Sequence, residues 1–175
     1  MQAAVSLDPA APKPVFYQHL CERLEQLLGD EKNLVANAAN TSALLFHLLP
    51  DVNWVGFYMV EGRELVLGPF QGNPARVRIP FGKGVCGAAA ADRCTMLVSD
   101  VSAFPGRVVS DPASCSEIAV PLLNWGNLLG VLEIDSASVN RFDADDRDGI
   151  ECLVSVFVAS QATNDLPDLS EHAVG

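Results

Sequence analysis

The spacing of apolar residues predicts helices near both ends of the chain and strands in the middle. Apolar positions recur three or four residues apart, as on one face of a helix, over about residues 15–29, 31–49 and 143–161. Gly29 and Pro50 follow the first two of these runs, where glycine and proline commonly end helices. Asp143 or Asp145 can cap the third helix at its start. We therefore expect three long amphipathic helices.

Between these helices the apolar pattern alternates with a period of two, which is typical of β-strands. The predicted strands cover about residues 54–60, 64–70, 76–79, 117–123 and 128–135. Short turns separate most of them, so neighbouring strands should pair as antiparallel hairpins. We predict an α+β fold, with a central antiparallel sheet of about six strands and the N- and C-terminal helices packed on one face. One domain is expected over residues 15–163, between a flexible N-terminal segment (1–14) and a polar C-terminal tail (164–175).

The most distinctive stretch is VRIPFGKGVCGAAAADRCTMLVSD, residues 77–100. It predicts a strand, a glycine loop, a helix of small residues that carries Cys86, and a second strand. The GxGxxG spacing of residues 82–87 also occurs in dinucleotide-binding folds, but those folds need βαβ crossovers, whereas hairpins join most of the strands here. A helix N-terminus can instead hold an anion, and we expect it to lower the pKa of Cys86 and favour the thiolate.

Three acidic residues are predicted to meet on the sheet. In the segment VLEID, residues 131–135, the strand period places Glu133 and Asp135 on one face and the apolar residues on the other. Glu117 begins the strand expected to pair with this one. Carboxylates held together either raise the pKa of at least one of them or await a cationic ligand. The alternative is a solvated face on which the acids have no common role.

Composition and charge exclude several classes of partner. The chain has 11 Lys and Arg against 22 Asp and Glu, a net charge of −11 at pH 7, so nucleic-acid binding is not expected. The apolar runs are far shorter than the roughly 20 residues of a membrane span, and the N-terminus lacks the features of a signal peptide. We therefore expect a soluble, cytoplasmic protein that does not bind a membrane.

Five cysteines and three histidines are the remaining candidates for reactive residues. In a cytosolic chain the cysteines should be thiols rather than a disulfide framework. No CxxC pair occurs and no histidine lies beside a cysteine at metal-ligand spacing, so we predict no metal site. Cys21 and Cys152 fall within predicted helices, where we interpret both as buried packing residues.

Five motifs give the chain a specific resemblance. They are NWVGFY (53–58), LVLGPFQG (65–72), VRIPFGKGVCG (77–87), SEIAVPL (116–122) and GVLEIDS (130–136). Over about residues 33–157 the chain resembles the free methionine-(R)-sulfoxide reductases, which are small single-domain GAF proteins. The resemblance implies a GAF-like fold and thiol-dependent reduction of free L-methionine-(R)-sulfoxide. The reaction would pass through a cysteine sulfenic acid and a disulfide recycled by thioredoxin, with no other cofactor.

The resemblance also implies which residues bind the substrate. Trp54 would pack against the methyl group, with Tyr58 nearby. Glu117, Glu133 and Asp135 would bind the amine and hydrogen-bond or protonate the sulfoxide oxygen. Family members often have aspartate at the position of Glu133, and the longer glutamate should preserve the function. Such proteins often pair through their helices, so a homodimer is also implied.

The cysteines depart in part from the family pattern. Many members have three active-site cysteines, and this chain keeps Cys86 but has Arg76 and Ser110 at the positions of the other two. Cys94 and Cys115 are the candidate substitutes. Cys115 is the better one, because it lies in a loop that can bring it toward Cys86. A disulfide needs the two Cα atoms to be within roughly 6 Å of each other.

Two other functions stay open. The chain could be a GAF binding module for methionine sulfoxide or a related ligand, with impaired or lost redox activity. It could also be a regulatory GAF domain for cyclic nucleotides, a weaker interpretation because we expect no attached output domain for it to regulate.

Overall fold

The computed structural model of the chain describes Asp8 and residues 10–106 and 112–161. Within these ranges the α-helices are α1 (Lys13–Leu28), α2 (Leu34–Leu48), α3 (Gly84–Asp92) and α4 (Ala144–Gln161). The strands are β1 (Trp54–Glu61), β2 (Glu64–Gln71), β3 (Arg78–Pro80), β4 (Met96–Val98), β5 (Ser116–Asn124) and β6 (Asn127–Ser136). The predicted N-terminal segment falls largely, and the predicted C-terminal tail wholly, outside the described residues.

The helix boundaries follow from the residues at their ends. Helix α1 begins two residues before its predicted start, because Pro14 fits a first turn that needs no backbone donor there. Helix α2 begins later than predicted, because the side chain of Asn33 caps its first turn. Of the two candidate caps of α4, Asp143 is the one used, since its carboxylate accepts a hydrogen bond from the backbone N–H of Asp146 at 3.1 Å.

The strands form one antiparallel sheet in the order β3-β2-β1-β6-β5-β4. The hairpins β1–β2 and β5–β6 are those that the short turns predict. The pairing of β1 with β6 joins two strands that are far apart in sequence. In this register Asp135 lies opposite Trp54 on one side and opposite Glu117 on the other. Three of the predicted site residues are therefore neighbours across the sheet.

Different helices cover the two faces of the sheet. Helices α1, α2 and α4 pack on one face, over residues that include Phe57, Leu132 and Ile134. Helix α3 lies on the opposite face, where Cys86 shares a second apolar cluster with Trp54. The prediction that the N- and C-terminal helices share one face is confirmed. The alternation of β6 places Glu133 and Asp135 on the face covered by α3.

A buried network fixes how α1 lies along α4. The Asp146 carboxylate accepts hydrogen bonds from the Tyr17 hydroxyl at 2.8 Å, from Arg141 at 3.1 Å and from Lys13. One turn further along α4, Gly149 leaves room for the Tyr17 ring, which would lie 2.1 Å from an added Cβ. The two helices therefore run side by side in a defined register.

The cysteines of α1 and α4 differ in their exposure. Cys21 of α1 is buried, as predicted, but the prediction that Cys152 is buried is wrong, because this residue is exposed on α4. Leu153 and Val154 supply the buried face of α4 there, and Cys152 lies beside that face. None of the helices in the described ranges is long and apolar enough to cross a membrane.

Candidate active site

Cys86 lies in the first turn of α3, beneath the glycine loop. The loop needs glycine at Gly84, where φ is +62°, a conformation that other residues rarely adopt. Gly87 lets the helix approach β3 closely, since an added Cβ would lie 2.5 Å from the Pro80 carbonyl oxygen. These contacts place the Cys86 side chain between α3 and the sheet, where the residue is 2% exposed.

The Cys86 thiol meets two of the predicted acids. Its Sγ donates a hydrogen bond to Oε2 of Glu133 at 3.2 Å. The Cys86 Sγ atom and one carboxylate oxygen each of Glu117 and Glu133 all lie within 4.8 Å of one another. The two glutamates are 6% and 2% exposed, so the alternative of a solvated acidic face does not apply to them.

The expectation of a thiolate at Cys86 is wrong for this arrangement. Burial raises the pKa of Cys86 well above its usual value, and the negative charges of Glu133, Glu117 and Asp135 raise it further. Burial and the nearby acids raise the pKa of Cys86 by more than its position in the first turn of the helix lowers it. Cys86 is therefore a thiol here, and it needs a base or a nearby cation to ionise.

Asp135 extends the acidic cluster toward Trp54 and is 1% exposed. The Ser114 hydroxyl donates a hydrogen bond to Oδ2 of Asp135 at 2.9 Å, and the Asn53 side-chain amide donates to the Ser114 hydroxyl at 3.2 Å. Sequence reasoning missed both of these residues. The signal available was their position, because Asn53 precedes Trp54 and Ser114 lies three residues before Glu117.

Three aromatic rings form a wall beside the acids. The Trp54 ring stacks with Tyr58 and Phe70, at centroid distances of 6.0 and 5.4 Å. Backbone carbonyls fix two of the rings, because Trp54 Nε1 donates to the Asn73 oxygen at 3.0 Å and the Tyr58 hydroxyl to the Arg76 oxygen at 2.9 Å. Phe70 was not predicted, although it lies in the LVLGPFQG motif.

The two candidate partner cysteines differ in position and in exposure. Cys115 is half-buried and lies two residues before Glu117, and its backbone N–H donates to the Ser136 oxygen at 2.7 Å. Cys94 is exposed beyond the end of α3 and lines a cavity of about 630 Å³ whose lining includes none of the three predicted acids. The backbone of Cys115 thus lies beside the strands that carry the acids.

Arg76 and Ser110 occupy the two positions at which the resemblance implies further cysteines. Arg76 is exposed and contributes its carbonyl oxygen to the aromatic wall. Ser110 lies outside the described residues.

The site has an acidic part, which can bind a cation, beside the apolar wall of aromatic rings. The thiol and the two glutamates are a donor set that could hold a divalent metal ion, which sequence spacing did not predict because the three residues come from different elements. The acidic cluster of Glu117, Glu133 and Asp135 suits a primary ammonium group, and the ring of Trp54 suits a methyl group. A small zwitterion with a terminal methyl group carries both kinds of group.

Comparison with known proteins agrees with this geometry. A family model described as GAF domain matches residues 16–157. The free methionine-R-sulfoxide reductase of Escherichia coli is 45% identical over 153 residues, which cover 87% of this chain and 93% of the relative. The enzyme of the same name from Saccharomyces cerevisiae is 42% identical over 152 residues, covering 82% of this chain and 84% of the relative. The structure of free methionine-R-sulfoxide reductase from Neisseria meningitidis in complex with its substrate superposes with a TM-score of 0.85 at 40% identity, covering 91% of this chain and 96% of that one.

Proposed function

The chain belongs to the free methionine-R-sulfoxide reductases, and we propose that it reduces free L-methionine-(R)-sulfoxide at the cluster of Cys86, Glu117, Glu133 and Asp135. The observation that carries this assignment is the hydrogen bond of 3.2 Å from the Cys86 thiol to Glu133. It puts a nucleophilic sulfur and a group that can accept and donate a proton side by side in a buried site.

Substrate binding uses the two ends of the site. The ammonium group of the amino acid binds between Glu117 and Asp135, which lie opposite each other on neighbouring strands. The S-methyl group packs against Trp54, in the wall formed with Tyr58 and Phe70. The bound ammonium offsets part of the negative charge that opposes ionisation of Cys86. Substrate binding and thiol activation are therefore coupled.

The first chemical step transfers oxygen to sulfur. Glu133 accepts the proton of the Cys86 thiol, and the sulfur attacks the sulfoxide sulfur. Glu133 then returns the proton to the sulfoxide oxygen, which is transferred to Cys86. The products are methionine and a Cys86 sulfenic acid, so the substrate is reduced by two electrons and the cysteine is oxidised by two.

The second step regenerates the thiol. The Cys115 thiol attacks the sulfur of the Cys86 sulfenic acid, a disulfide forms, and water leaves. Thioredoxin then reduces the disulfide by thiol–disulfide exchange. A cytoplasmic location forms part of this proposal, because a recycling dithiol reductant operates in a reducing compartment.

A coupled assay tests this function. With thioredoxin, thioredoxin reductase and NADPH, the protein should oxidise NADPH when the R epimer of free methionine sulfoxide is added and not when the S epimer is added. Cys86→Ser and Cys115→Ser should each lower turnover at least 100-fold, whereas Cys94→Ser should leave it unchanged. Equal turnover of the two epimers would contradict the proposal.

The binding-module alternative has one observation in its favour, which is that Arg76 and Ser110 replace cysteines common in the family. Calorimetry separates the two functions. Binding of the R epimer without turnover in the coupled assay would identify a binding module and exclude the reductase. Pairing of two copies through their helices stays a prediction, to be checked by light scattering.

A further inference from the structure

Two cysteines outside the candidate active site face each other across the α1–α4 contact. The Sγ atoms of Cys21 and Cys152 lie 3.0 Å apart, about 1 Å more than a disulfide bond length. Cys21 is buried and Cys152 is exposed, and both are thiols in this structure. They lie on helices that cover the face of the sheet opposite Cys86.

The helix register explains why these sulfurs meet. The contact of Tyr17 with Gly149 lies four residues before Cys21 on α1 and three residues before Cys152 on α4. On a helix those spacings put each cysteine one turn further along the same face. The hydrogen bond from the Tyr17 hydroxyl to the Asp146 carboxylate fixes the same register. The approach of the two thiols is thus built into the helix packing.

The surroundings of the pair have a strong charge bias. A cavity of about 400 Å³ opens beside the two cysteines, and the residues that line it include several acids and no base. The acids are Glu22, Glu25, Asp145 and Asp148. Asp148 is partly offset by Arg147, whose Nη2 lies 2.9 Å from it. A positively charged reagent should therefore reach Cys152 more readily than a negatively charged one.

We propose that Cys21 and Cys152 form a second thiol–disulfide site, which small disulfides carrying amino groups oxidise and which links α1 to α4. In the first step the Cys152 sulfur attacks one sulfur of the small disulfide, whose S–S bond breaks, and one aminothiol leaves with a proton. In the second step the Cys21 sulfur attacks the Cys152 sulfur, loses its own proton, and releases the second aminothiol. Two protein thiols are oxidised and one small disulfide is reduced to two thiols.

The roles of the two cysteines follow from their environments. Cys152 is accessible and makes the first attack. Burial raises the pKa of Cys21, and the nearby Cys152, Glu25 and Glu22 raise it further, so Cys21 is a poor nucleophile toward reagents in solution. It acts as the resolving thiol only because its target sulfur is already adjacent.

Cystamine, a disulfide with two ammonium groups, is the probe. The reduced full-length protein is treated with cystamine, its remaining thiols are alkylated, and its peptides are mapped by mass spectrometry. We expect Cys21 and Cys152 in one linked pair, and cysteamine attached to the exposed Cys94. Oxidised glutathione, which carries net negative charge, should react at Cys152 at least about tenfold more slowly.

Thermal unfolding supplies an independent readout. Closing a loop between residues 21 and 152 should raise the unfolding temperature by roughly 5 to 10 °C. Cys152→Ser is the matched control, because it removes an exposed thiol and should abolish both the linked peptide and the rise. Two outcomes would overturn the proposal. In one, cysteamine stays on Cys152 and Cys21 is found alkylated; in the other, neither cysteine reacts with cystamine. Equal rates for the two oxidants would overturn the selectivity for amino disulfides.

Discussion

At the scale of single residues, the protonation state of Cys86 controls when the site can react. Its raised pKa means that the thiol stays protonated at pH values where an ordinary cysteine ionises. Alkylation by iodoacetamide should therefore reach its half-maximal rate at a higher pH for Cys86 than for a cysteine in a short unstructured peptide. Peptide mapping of the reduced protein from pH 6 to 11, with that peptide in the same sample, measures both profiles.

The acids are the cause of part of this shift, and a variant separates their effect from burial. Glu133→Gln keeps the size of the side chain but removes the charge nearest to Cys86. The half-maximal pH of Cys86 alkylation should fall in this variant, and that of the reference peptide in the same sample should not move. An unchanged Cys86 profile would mean that the contact with Glu133 does not set the reactivity of the thiol.

Gly56 is the residue that makes room for the aromatic wall. An added Cβ would lie 2.4 Å from Cβ of Phe70 and 2.5 Å from the ring of Trp54. Gly56→Ala should therefore displace the Trp54 ring and raise KM for the R-sulfoxide at least tenfold. Gly62→Ala is the control. Gly62 has positive φ, so replacing it costs roughly 1 kcal/mol of stability, but it lies in the β1–β2 turn with open space around it. A normal KM in Gly56→Ala would remove the wall from the substrate site.

The residue-level predictions succeeded where they depended on alternation along one strand. A period of two suffices to put Glu133 and Asp135 on one face. The pKa of Cys86 was mispredicted because it depends on burial and on acids from β5 and β6, which local sequence does not show. The missed contacts of Asn53 and Ser114 likewise depend on the path of a loop.

At the scale of elements, the cap of α4 should determine the acid stability of the helix pair. The hydrogen bond from Lys13 and the backbone N–H of Asp146 lower the pKa of Asp143 to about 2, from 3.8. A lowered pKa contributes stability that is present above about pH 4 and is lost as the pH falls toward 2. We expect Asp143→Asn to have a lower unfolding temperature than the unmodified chain at pH 6 and nearly the same one at pH 2. A difference that persists at pH 2 would show that the charge is not its source.

The helices and strands themselves were largely predictable from sequence, and their ends were less so. The period of apolar residues gives the number of long helices and the two hairpins. The start of α2 was misplaced because it is set by a hydrogen bond that the backbone N–H of Ala36 donates to the Asn33 side chain. The separation of Cys94 from the acids could not be predicted either, since it depends on the direction in which α3 leaves the loop.

At the scale of the whole molecule, ligand binding should appear as added stability. A ligand that binds only the folded protein adds about 2.7 kcal/mol at a concentration of 100 Kd, which corresponds to an unfolding temperature roughly 5 to 10 °C higher. The R-sulfoxide should produce this shift and the S epimer should not. Glu117→Gln should weaken the response, because Glu117 is one of the two acids assigned to the ammonium group. A full shift in this variant would exclude Glu117 from binding.

The fold as a whole could be anticipated only in part from the pattern of residues. The pattern gives an antiparallel sheet with helices on one face, but not the pairing of β1 with β6. That pairing brings Trp54 beside Asp135 and completes the site. That Trp54 and Asp135 share one site was implied only by the resemblance, whose motifs belong to a known fold. Alternation within single strands does not show which strands pair.

The central claim is that Cys86 takes the oxygen of free methionine sulfoxide and that Cys115 resolves the product. A single-turnover experiment tests it without any external reductant. Fully reduced protein is mixed with excess L-methionine-(R)-sulfoxide, and free methionine and the remaining thiols are counted. We predict one methionine per chain, the loss of two thiols, and a peptide that links Cys86 to Cys115. Binding without formation of methionine would contradict the account.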